Sequence, residues 1–234
     1  QMLNTSLSAM YTAYIRSLEP KGVTISVGGE IGEVGGHNST EEELRAYVDG
    51  YSKELEKAAP GAIGISKISI QTGTSHGGVV LPDGSIAQVS VDFDTLLRLS
   101  RIAREEYKMG GAVQHGASTL PEDAFGKFVE SEAIEVHLAT NFQNMLFDRL
   151  PNDLRSAMYA YLDEKSAAER KPEMTDEQFY YKTRKNAIGP FKRQTWQMPA
   201  EKKAEIGQAW EEQFSRLFRL LGLQGTRQYV LQTI

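Results

Sequence analysis

Four short apolar runs, rich in β-branched residues, alternate along the chain with longer segments in which apolar residues recur three and four apart. Such runs predict β-strands, and the longer segments predict amphipathic helices. The predicted strands cover residues 23–27, 67–71, 111–114 and 133–138. Strands that alternate with helices predict a parallel sheet, because every parallel connection needs a crossover, usually a helix. The sequence therefore predicts an α/β fold with four consecutive βα units.

All four histidines of the chain lie at or just past the ends of these predicted strands, and they are His37, His76, His115 and His137. In an α/β barrel the carboxyl ends of the strands meet at one mouth, where the active site is built. Glu30, His76 and His115 each follow a different strand, and two imidazoles with a carboxylate suit zinc or another divalent cation. One such histidine alone is more often structural. The set of three favours a metal site.

Small and hydroxyl residues beside these histidines offer a second kind of site. They are Gly77, Gly116, Ser118 and Thr140. Backbone N–H groups and hydroxyls at helix N-termini bind anions, and the last units of a barrel often hold a phosphate in this way. Ser118 and Thr140 would equally serve as caps of the helices after them. Both roles remain open on the sequence alone.

The pattern changes after residue 150. Residues 152–169 and 199–221 predict helices, joined by a polar, basic segment over residues 170–193. We expect residues 1–150 to form the βα units and residues 151–234 to form a helical extension packed on the same domain. Arg184, in the aromatic and basic stretch YYKTRK, either belongs to a solvated surface strip or reaches a phosphate.

Composition excludes several classes of function. The formal net charge of −5 disfavours nucleic acid as a partner, since phosphate binding needs a basic surface. The chain has no cysteine, so histidines and carboxylates must hold any zinc. No apolar run approaches the length of a membrane span. We expect a cytoplasmic enzyme without a membrane partner.

Four segments together resemble the class II, metal-dependent fructose-bisphosphate aldolases. They are VGGEIGEVGG (27–36), GTSHGG (73–78), QHGAST (114–119) and EVHLATNFQ (135–143). Their order and spacing are similar to the last four strand ends of that family. The resemblance implies a (β/α)8 TIM barrel, of which this chain supplies the last four βα units and a helical C-terminal extension.

The resemblance also implies roles for single residues. His76 and His115 would be zinc ligands, and Glu30 would bind a second, noncatalytic metal or monovalent cation. The phosphate of dihydroxyacetone phosphate would lie against Gly77, Gly116, Ser118 and Thr140. Arg184 would reach the other phosphate from a neighbouring subunit, which implies a homo-oligomer. The implied reaction is reversible aldol cleavage of a phosphorylated ketose, in which zinc polarises the ketone and stabilises an enediolate.

The chain departs from the family pattern at several positions. His37 and Asn38 stand where the family has two acids, one of which is implicated in proton transfer. His137 stands where it has an asparagine that contacts substrate. Ala139 replaces an aspartate, and Glu135 replaces a lysine. We interpret His137 and Asn38 as the catalytic residues of a divergent pocket, with His137 as an acid, a base or a hydrogen-bonding group.

The first half of the family barrel, which bears a third zinc-binding histidine and a catalytic aspartate, has no counterpart in this sequence. The helical pattern of residues 2–18 at its very start suggests that it begins within a fold. An N-terminal half-barrel, from the same or another chain, is therefore an expected partner.

Two other functions compete with the aldolase reading. One is a noncatalytic aldolase-like subunit or structural partner that completes a barrel or an assembly. The other is a phosphosugar-binding barrel with isomerase or epimerase chemistry, which rests on fold analogy alone.

Overall fold

The computed structural model describes residues 2–32, 36–73, 81 and 90–232, without the side chains of Thr119 and Asp123. Within these limits the chain divides into two compact units. One contains residues 2–73 and 90–137, and the other contains residue 81 and residues 138–232.

The first unit contains a parallel sheet of four strands in the order β1-β2-β3-β4. The strands are β1 (Gly28–Glu30), β2 (Lys67–Ile70), β3 (Ala112–Gln114) and β4 (Glu135–Val136). In register, Ser69 pairs with Glu30 on one side and with Val113 on the other, and Val113 pairs with Glu135. The predicted α/β fold with a parallel sheet is confirmed.

The prediction that residues 23–27 form the first strand is wrong, since β1 begins at Gly28. Val23 and Ile25 are about half exposed. The backbone of Ile25 bonds to side chains instead of a strand: its carbonyl accepts from Arg16 at 2.8 Å, and its N–H donates to Glu19 at 2.6 Å. Because these groups are already satisfied, the β-branched run has no ladder to join.

Helices precede and connect the strands: α1 (Met2–Leu18), α2 (Glu41–Ala58), α3 (Phe93–Glu105) and α4 (Phe125–Glu130). Thr40 begins α2 with a capping box, in which its hydroxyl accepts from the N–H of Glu43 and the carboxylate of Glu43 accepts from the N–H of Thr40. Asp92 caps α3 through one backbone bond, since its carboxylate accepts from the N–H of Thr95 at 2.9 Å. These polar caps satisfy N–H groups that a helix leaves unpaired at its start.

Helix α1 packs through small residues, with Thr5, Ala9 and Thr12 buried. Its large apolar residues are exposed, and they include Met2, Leu3, Met10, Tyr11, Tyr14 and Leu18. Small side chains allow α2 to approach closely, and the hydroxyl of Tyr51 donates to Thr12 at 3.0 Å. The predicted helix is confirmed, but its apolar side does not face the core of this unit.

One face of the sheet is covered by helices. Its core includes Leu44, Tyr47, Tyr51, Ile68, Ile70, Leu96, Leu99 and Phe128. Since side chains alternate along a strand, the residues on either side of Ile68 in β2 point away from these helices, to the other face of the sheet. There Lys67 and Glu135 form an ion pair. This second face is the polar one.

Helices and turns make up the second unit, and none of its described residues forms a strand. Its helices are α5 (Thr140–Arg149), α6 (Asn152–Lys165), α7 (Asp176–Thr183), α8 (Lys185–Ile188), α9 (Lys192–Trp196), α10 (Ala200–Leu220) and α11 (Arg227–Leu231). They share a core of Phe147, Leu150, Met158, Leu162, Phe179, Ala187, Met198 and Ile206. No helix in the described part of the chain is long and apolar enough to cross a membrane.

The segment over residues 170–193, predicted only as a polar link, contains two of these helices and part of a third. A signal for α7 was present in the sequence, because Thr175 and Gln178 form a capping box. The capping pattern of a hydroxyl residue followed three positions later by Glu or Gln marks a helix start even where apolar periodicity is weak.

Candidate functional site

Two of the four histidines lie side by side at the carboxyl edge of the sheet. His115 follows β3 directly, and His137 follows β4 directly. Their rings stack with centroids 4.6 Å apart and an angle of 25° between the ring planes. The backbone N–H of His137 donates to the carbonyl of Gln114 at 2.8 Å, which continues the pairing of the two strands up to the histidines. The prediction that strand ends bring histidines together holds for this pair.

Glu30, the last residue of β1, reaches the same edge. Its Oε1 lies 3.4 Å from Nδ1 of His115. The carboxylate is about half exposed, whereas the His115 side chain is mostly buried. A nitrogen and an oxygen that are both able to bind a metal ion thus face each other at short range, with access to solvent.

Glu135 and Lys67 extend the site along the polar face of the sheet. Oε2 of Glu135 lies 2.9 Å from Nε2 of His137, and Oε1 of the same carboxylate pairs with the ammonium of Lys67. Burial by itself would raise the pKa of Glu135, but the hydrogen bonds from Lys67 and His137 lower it below its usual value. The carboxylate is therefore held in its charged form, with each oxygen committed to a different neighbour.

Beneath the histidines lies a buried polar link that the sequence analysis missed. The hydroxyl of Thr72 donates to Oε1 of Gln114 at 2.7 Å, and Nε2 of Gln114 donates to the carbonyl of His115 at 2.6 Å. Both Thr72 and Gln114 are fully buried. The only sequence signal was a glutamine at the end of an apolar strand, where an unpaired amide would be costly.

Asn38 is bonded to the start of α3, since its Nδ2 donates to Oδ2 of Asp92 at 2.9 Å. The pKa of Asp92 is lowered, chiefly because its carboxylate accepts the backbone N–H of Thr95. Next to Asn38 in sequence, His37 is largely exposed, with Nε2 3.1 Å from Glu43. These contacts join the loop after β1 to two helix starts.

The predicted anion-binding residues lie in different surroundings. Gly116 has a φ of +71° and precedes a single 3-10 turn over Ala117–Thr119, which contains Ser118. Thr140 is the first residue of α5 in the second unit, and the capping position belongs to Ala139. The alternative in which Thr140 caps this helix is therefore wrong.

Arg184, also in the second unit, is only 7% exposed. Its guanidinium pairs with the amide oxygen of Asn144 and lies 4.3 Å from the centroid of the Tyr181 ring. Burial lowers its pKa. Among the described residues, its Nε is a buried side-chain nitrogen without a hydrogen-bond partner.

His76 and Gly77 lie outside the described residues, so the complete predicted metal set is not seen together. Among the residues that are described, no three histidines or acidic residues gather closely enough to hold a metal ion. Glu30 and His115 are thus two members of a predicted set of three.

A parallel α/β sheet with imidazoles and carboxylates at its carboxyl edge is typical of enzymes built on βα units. The sequence narrows this class further. Residues 4–209 match the family model described as fructose-bisphosphate aldolase class-II. The chain belongs to that family, as the sequence resemblance indicated.

Comparison with solved structures gives matches at low sequence identity. A protein of Sinorhizobium meliloti 1021, described as "a probable tagatose 6 phosphate kinase", matches with a TM-score of 0.55 and 17% identity, over 93% of this chain and 56% of that one. The fructose-bisphosphate aldolase of Campylobacter jejuni matches with a TM-score of 0.46 and 18% identity, over 92% of this chain and 56% of its own. The chain spans little more than half the length of either. A search of curated proteins finds no match.

Proposed function

We propose that the protein is a class II aldolase-like lyase that reversibly cleaves a phosphorylated ketose, fructose bisphosphate or a relative, with zinc or another divalent cation as cofactor. Membership of the family supports the reaction class. The observation that carries the proposal is the approach of Glu30 to His115, with His137 stacked beside them.

The distance between Glu30 and His115 fits a shared cation. Two ligands bound to one tetrahedral zinc at about 2.0–2.1 Å lie roughly 3.3–3.4 Å apart. The separation between Oε1 of Glu30 and Nδ1 of His115 is 3.4 Å. With His76, these residues would supply the nitrogen and oxygen donors that zinc accepts, and Glu30 would alternatively hold a second, noncatalytic cation. A bound divalent cation polarises the ketone oxygen of the substrate and stabilises negative charge there.

His137 is the proposed acid or base. Because Nε2 lies against the charged carboxylate of Glu135, this nitrogen bears the proton and Nδ1 bears the lone pair. Nδ1 is then the atom that would accept a proton from substrate. Asn38 has no titrating group, so its proposed part is to orient a substrate hydroxyl or water through its amide.

The phosphate groups of the substrate are proposed to bind the small residues and the arginine. Gly77, Gly116, Ser118 and Thr140 would hold one phosphate through N–H and hydroxyl groups. Arg184 would hold the other in a homo-oligomer, as a partner subunit's residue does in the resembled family.

The larger architecture is also a proposal. The four βα units would be the last four of a (β/α)8 barrel formed by residues 1–150, with residues 151–234 as a helical extension, in a cytoplasmic enzyme. In the described sheet β1 and β4 each pair with a single neighbour, and strand edges of this kind favour further pairing. The first half of the barrel would come from the same or another chain.

The test is retro-aldol cleavage by the longest natural form of the protein, with fructose bisphosphate and related ketose bisphosphates. We expect release of triose phosphate that disappears on chelation and returns with Zn²⁺. The variant His115→Ala should lose at least about a hundredfold in kcat/KM, while Glu41→Gln, on the surface of α2, should keep its activity. Chelation without effect on cleavage would contradict the cation-dependent reaction.

A noncatalytic subunit is the competing proposal, and one observation favours it. Asn38, which stands where the family has an acid, is bonded to the cap of α3 and cannot take up a proton there. This proposal predicts that the protein binds Zn²⁺ and the phosphorylated ketose but shows no turnover under any tested condition.

A further inference from the structure

Lys67, Glu135 and His137 form a continuous chain of side chains on the polar face of the sheet. Lys67 begins β2 and Glu135 begins β4, yet their side chains meet across β3. A Cβ added at Gly28, the register partner of Lys67, would lie 3.2 Å from Cγ of Lys67. This neighbour confirms which face the lysine occupies.

The chain leaves the Glu135 carboxylate little freedom. One oxygen accepts from the Lys67 ammonium and the other accepts from Nε2 of His137 at 2.9 Å. Rotation of the carboxylate would weaken both bonds. The ring of His137 is thereby fixed at its edge, while its flat face lies against His115 at 4.6 Å.

We propose that Lys67 and Glu135 are positioning residues: the Glu135 carboxylate fixes the tautomer of His137, Lys67 holds that carboxylate and with it the ring plane, and the stacked ring in turn holds His115 with its Nδ1 toward Glu30. The second half of this statement, preparation of His115 for a divalent cation, rests on the proposed function. The first half, the locked tautomer of His137, does not.

An ordinary ion pair would not need this arrangement. Lys67 and Glu135 are both partly exposed, and pairs of this kind usually contribute only about 0–1 kcal/mol to stability. The distinctive feature is that Lys67, which can only donate, occupies one terminal atom of residue 135, so that the other terminal atom faces His137 and decides which ring nitrogen bears the proton. This dependence gives the proposal a specific signature.

The experiment is long-range proton–nitrogen NMR of the histidine rings in the full, metal-free protein at about pH 8. In the wild type we expect His137 to bear its proton on Nε2. In Glu135→Gln the single amide oxygen should turn to Lys67 and the NH2 group should face His137. Nε2 must then accept, and the proton should move to Nδ1.

A second substitution should reverse this change. In the double variant Lys67→Met with Glu135→Gln, no ammonium competes for the amide oxygen. The amide can turn over, and the proton should return to Nε2. Lys67→Met alone should keep the wild-type tautomer. A structural ion pair predicts no such reversal. An unchanged tautomer in Glu135→Gln, or a wild-type proton on Nδ1, would overturn the proposal even if one variant failed to fold.

The binding of Zn²⁺ alone, measured by calorimetry on the same proteins, tests the consequence for His115. Glu135→Gln should bind Zn²⁺ about 10–100-fold more weakly, and the double variant should recover most of the loss. Glu41→Gln, in an exposed ion pair on α2, is the matched control and should bind like the wild type. A tautomer change without a change in affinity would overturn the link to His115. Failure of the wild type to bind Zn²⁺ would instead contradict the proposed function and leave the tautomer test intact.

Discussion

The buried link between Thr72 and Gln114 gives the sharpest prediction about stability. Gln114→Leu keeps a side chain of similar length but removes both hydrogen bonds that the amide makes to Thr72 and to the carbonyl of His115. The Thr72 hydroxyl is then left in a fully buried place without this acceptor. The penalty comes mainly from this hydroxyl, because a buried donor without a partner has lost its hydrogen bonds to water and gains none in their place.

The size of the loss in stability follows from the two partners of the amide, the Thr72 hydroxyl and the His115 carbonyl. Leaving the buried Thr72 hydroxyl without this acceptor costs about 1–3 kcal/mol, and loss of the bond to the His115 carbonyl adds about 1 kcal/mol, so Gln114→Leu should lower the free energy of unfolding by about 2–4 kcal/mol. Thr72→Val should cost about 1–2 kcal/mol, because it removes only the hydrogen bond to Oε1 of Gln114. In the double variant the two apolar side chains face each other. Its loss should therefore be smaller than the sum of the single losses by about 1–2 kcal/mol.

Hydrogen exchange of the amides in β2 and β3 is the suitable assay. Both tryptophans of the chain, Trp196 and Trp210, lie in the second unit, so their fluorescence does not report on the sheet. Thr72→Ser keeps the hydroxyl and serves as the control. If the losses in the double variant add to within about 0.5 kcal/mol, the two side chains are not energetically coupled and the reasoning is refuted.

Two further predictions concern the first unit. Gly29→Ala would place a Cβ 2.7 Å from the hydroxyl of the fully buried Tyr47 and should lower the free energy of unfolding by about 1–3 kcal/mol. Gly126→Ala is the control, since its Cβ would meet no atom outside its own helix backbone within 4 Å. It should be neutral or stabilising by up to about 1 kcal/mol, and denaturant titrations measure both variants. Equal losses in the two variants would contradict the packing argument. Asp92→Ala should cost about 1 kcal/mol at neutral pH through loss of the α3 cap. Hydrogen bonds, chiefly the one from the Thr95 N–H, lower the pKa of Asp92 in the folded state. Its contribution to the free energy of unfolding is therefore present above the ordinary pKa of 3.8 and is lost as the pH falls through that value toward the folded pKa. The acid unfolding curves of wild type and variant should converge. A gap that persists in acid would refute the linkage.

The order and type of elements in the first unit followed from local patterns. Thr40 and Asp92 are short polar residues that cap the starts of α2 and α3 through bonds to the N–H groups of Glu43 and Thr95. These signals are readable because the interactions span only three residues along the chain. The strand predicted over residues 23–27 failed for the opposite reason, since the side chains of Arg16 in α1 and of Glu19 just after it bind the backbone at Ile25.

The candidate site was only partly predictable. That strand ends would bring Glu30, His115 and His137 to one edge follows from the rule for parallel sheets, and these residues do meet there. The bond between Lys67 and Glu135 joins residues 68 positions apart, so no local pattern contained it. Gln114 was missed because a buried amide is defined by its partners, which lie on another strand.

The sequence alone determined the family, the alternation of strands and helices, and the chemical types gathered at the strand ends. These depend on short-range periodicity, on caps and on motifs whose residues are neighbours in the chain. The tertiary structure decided which oxygen of Glu135 meets which partner, which face of α1 is buried, and that His115 lies between Glu30 and His137. Such contacts depend on strand register and on competition for polar groups, and both are settled only when distant segments pack together.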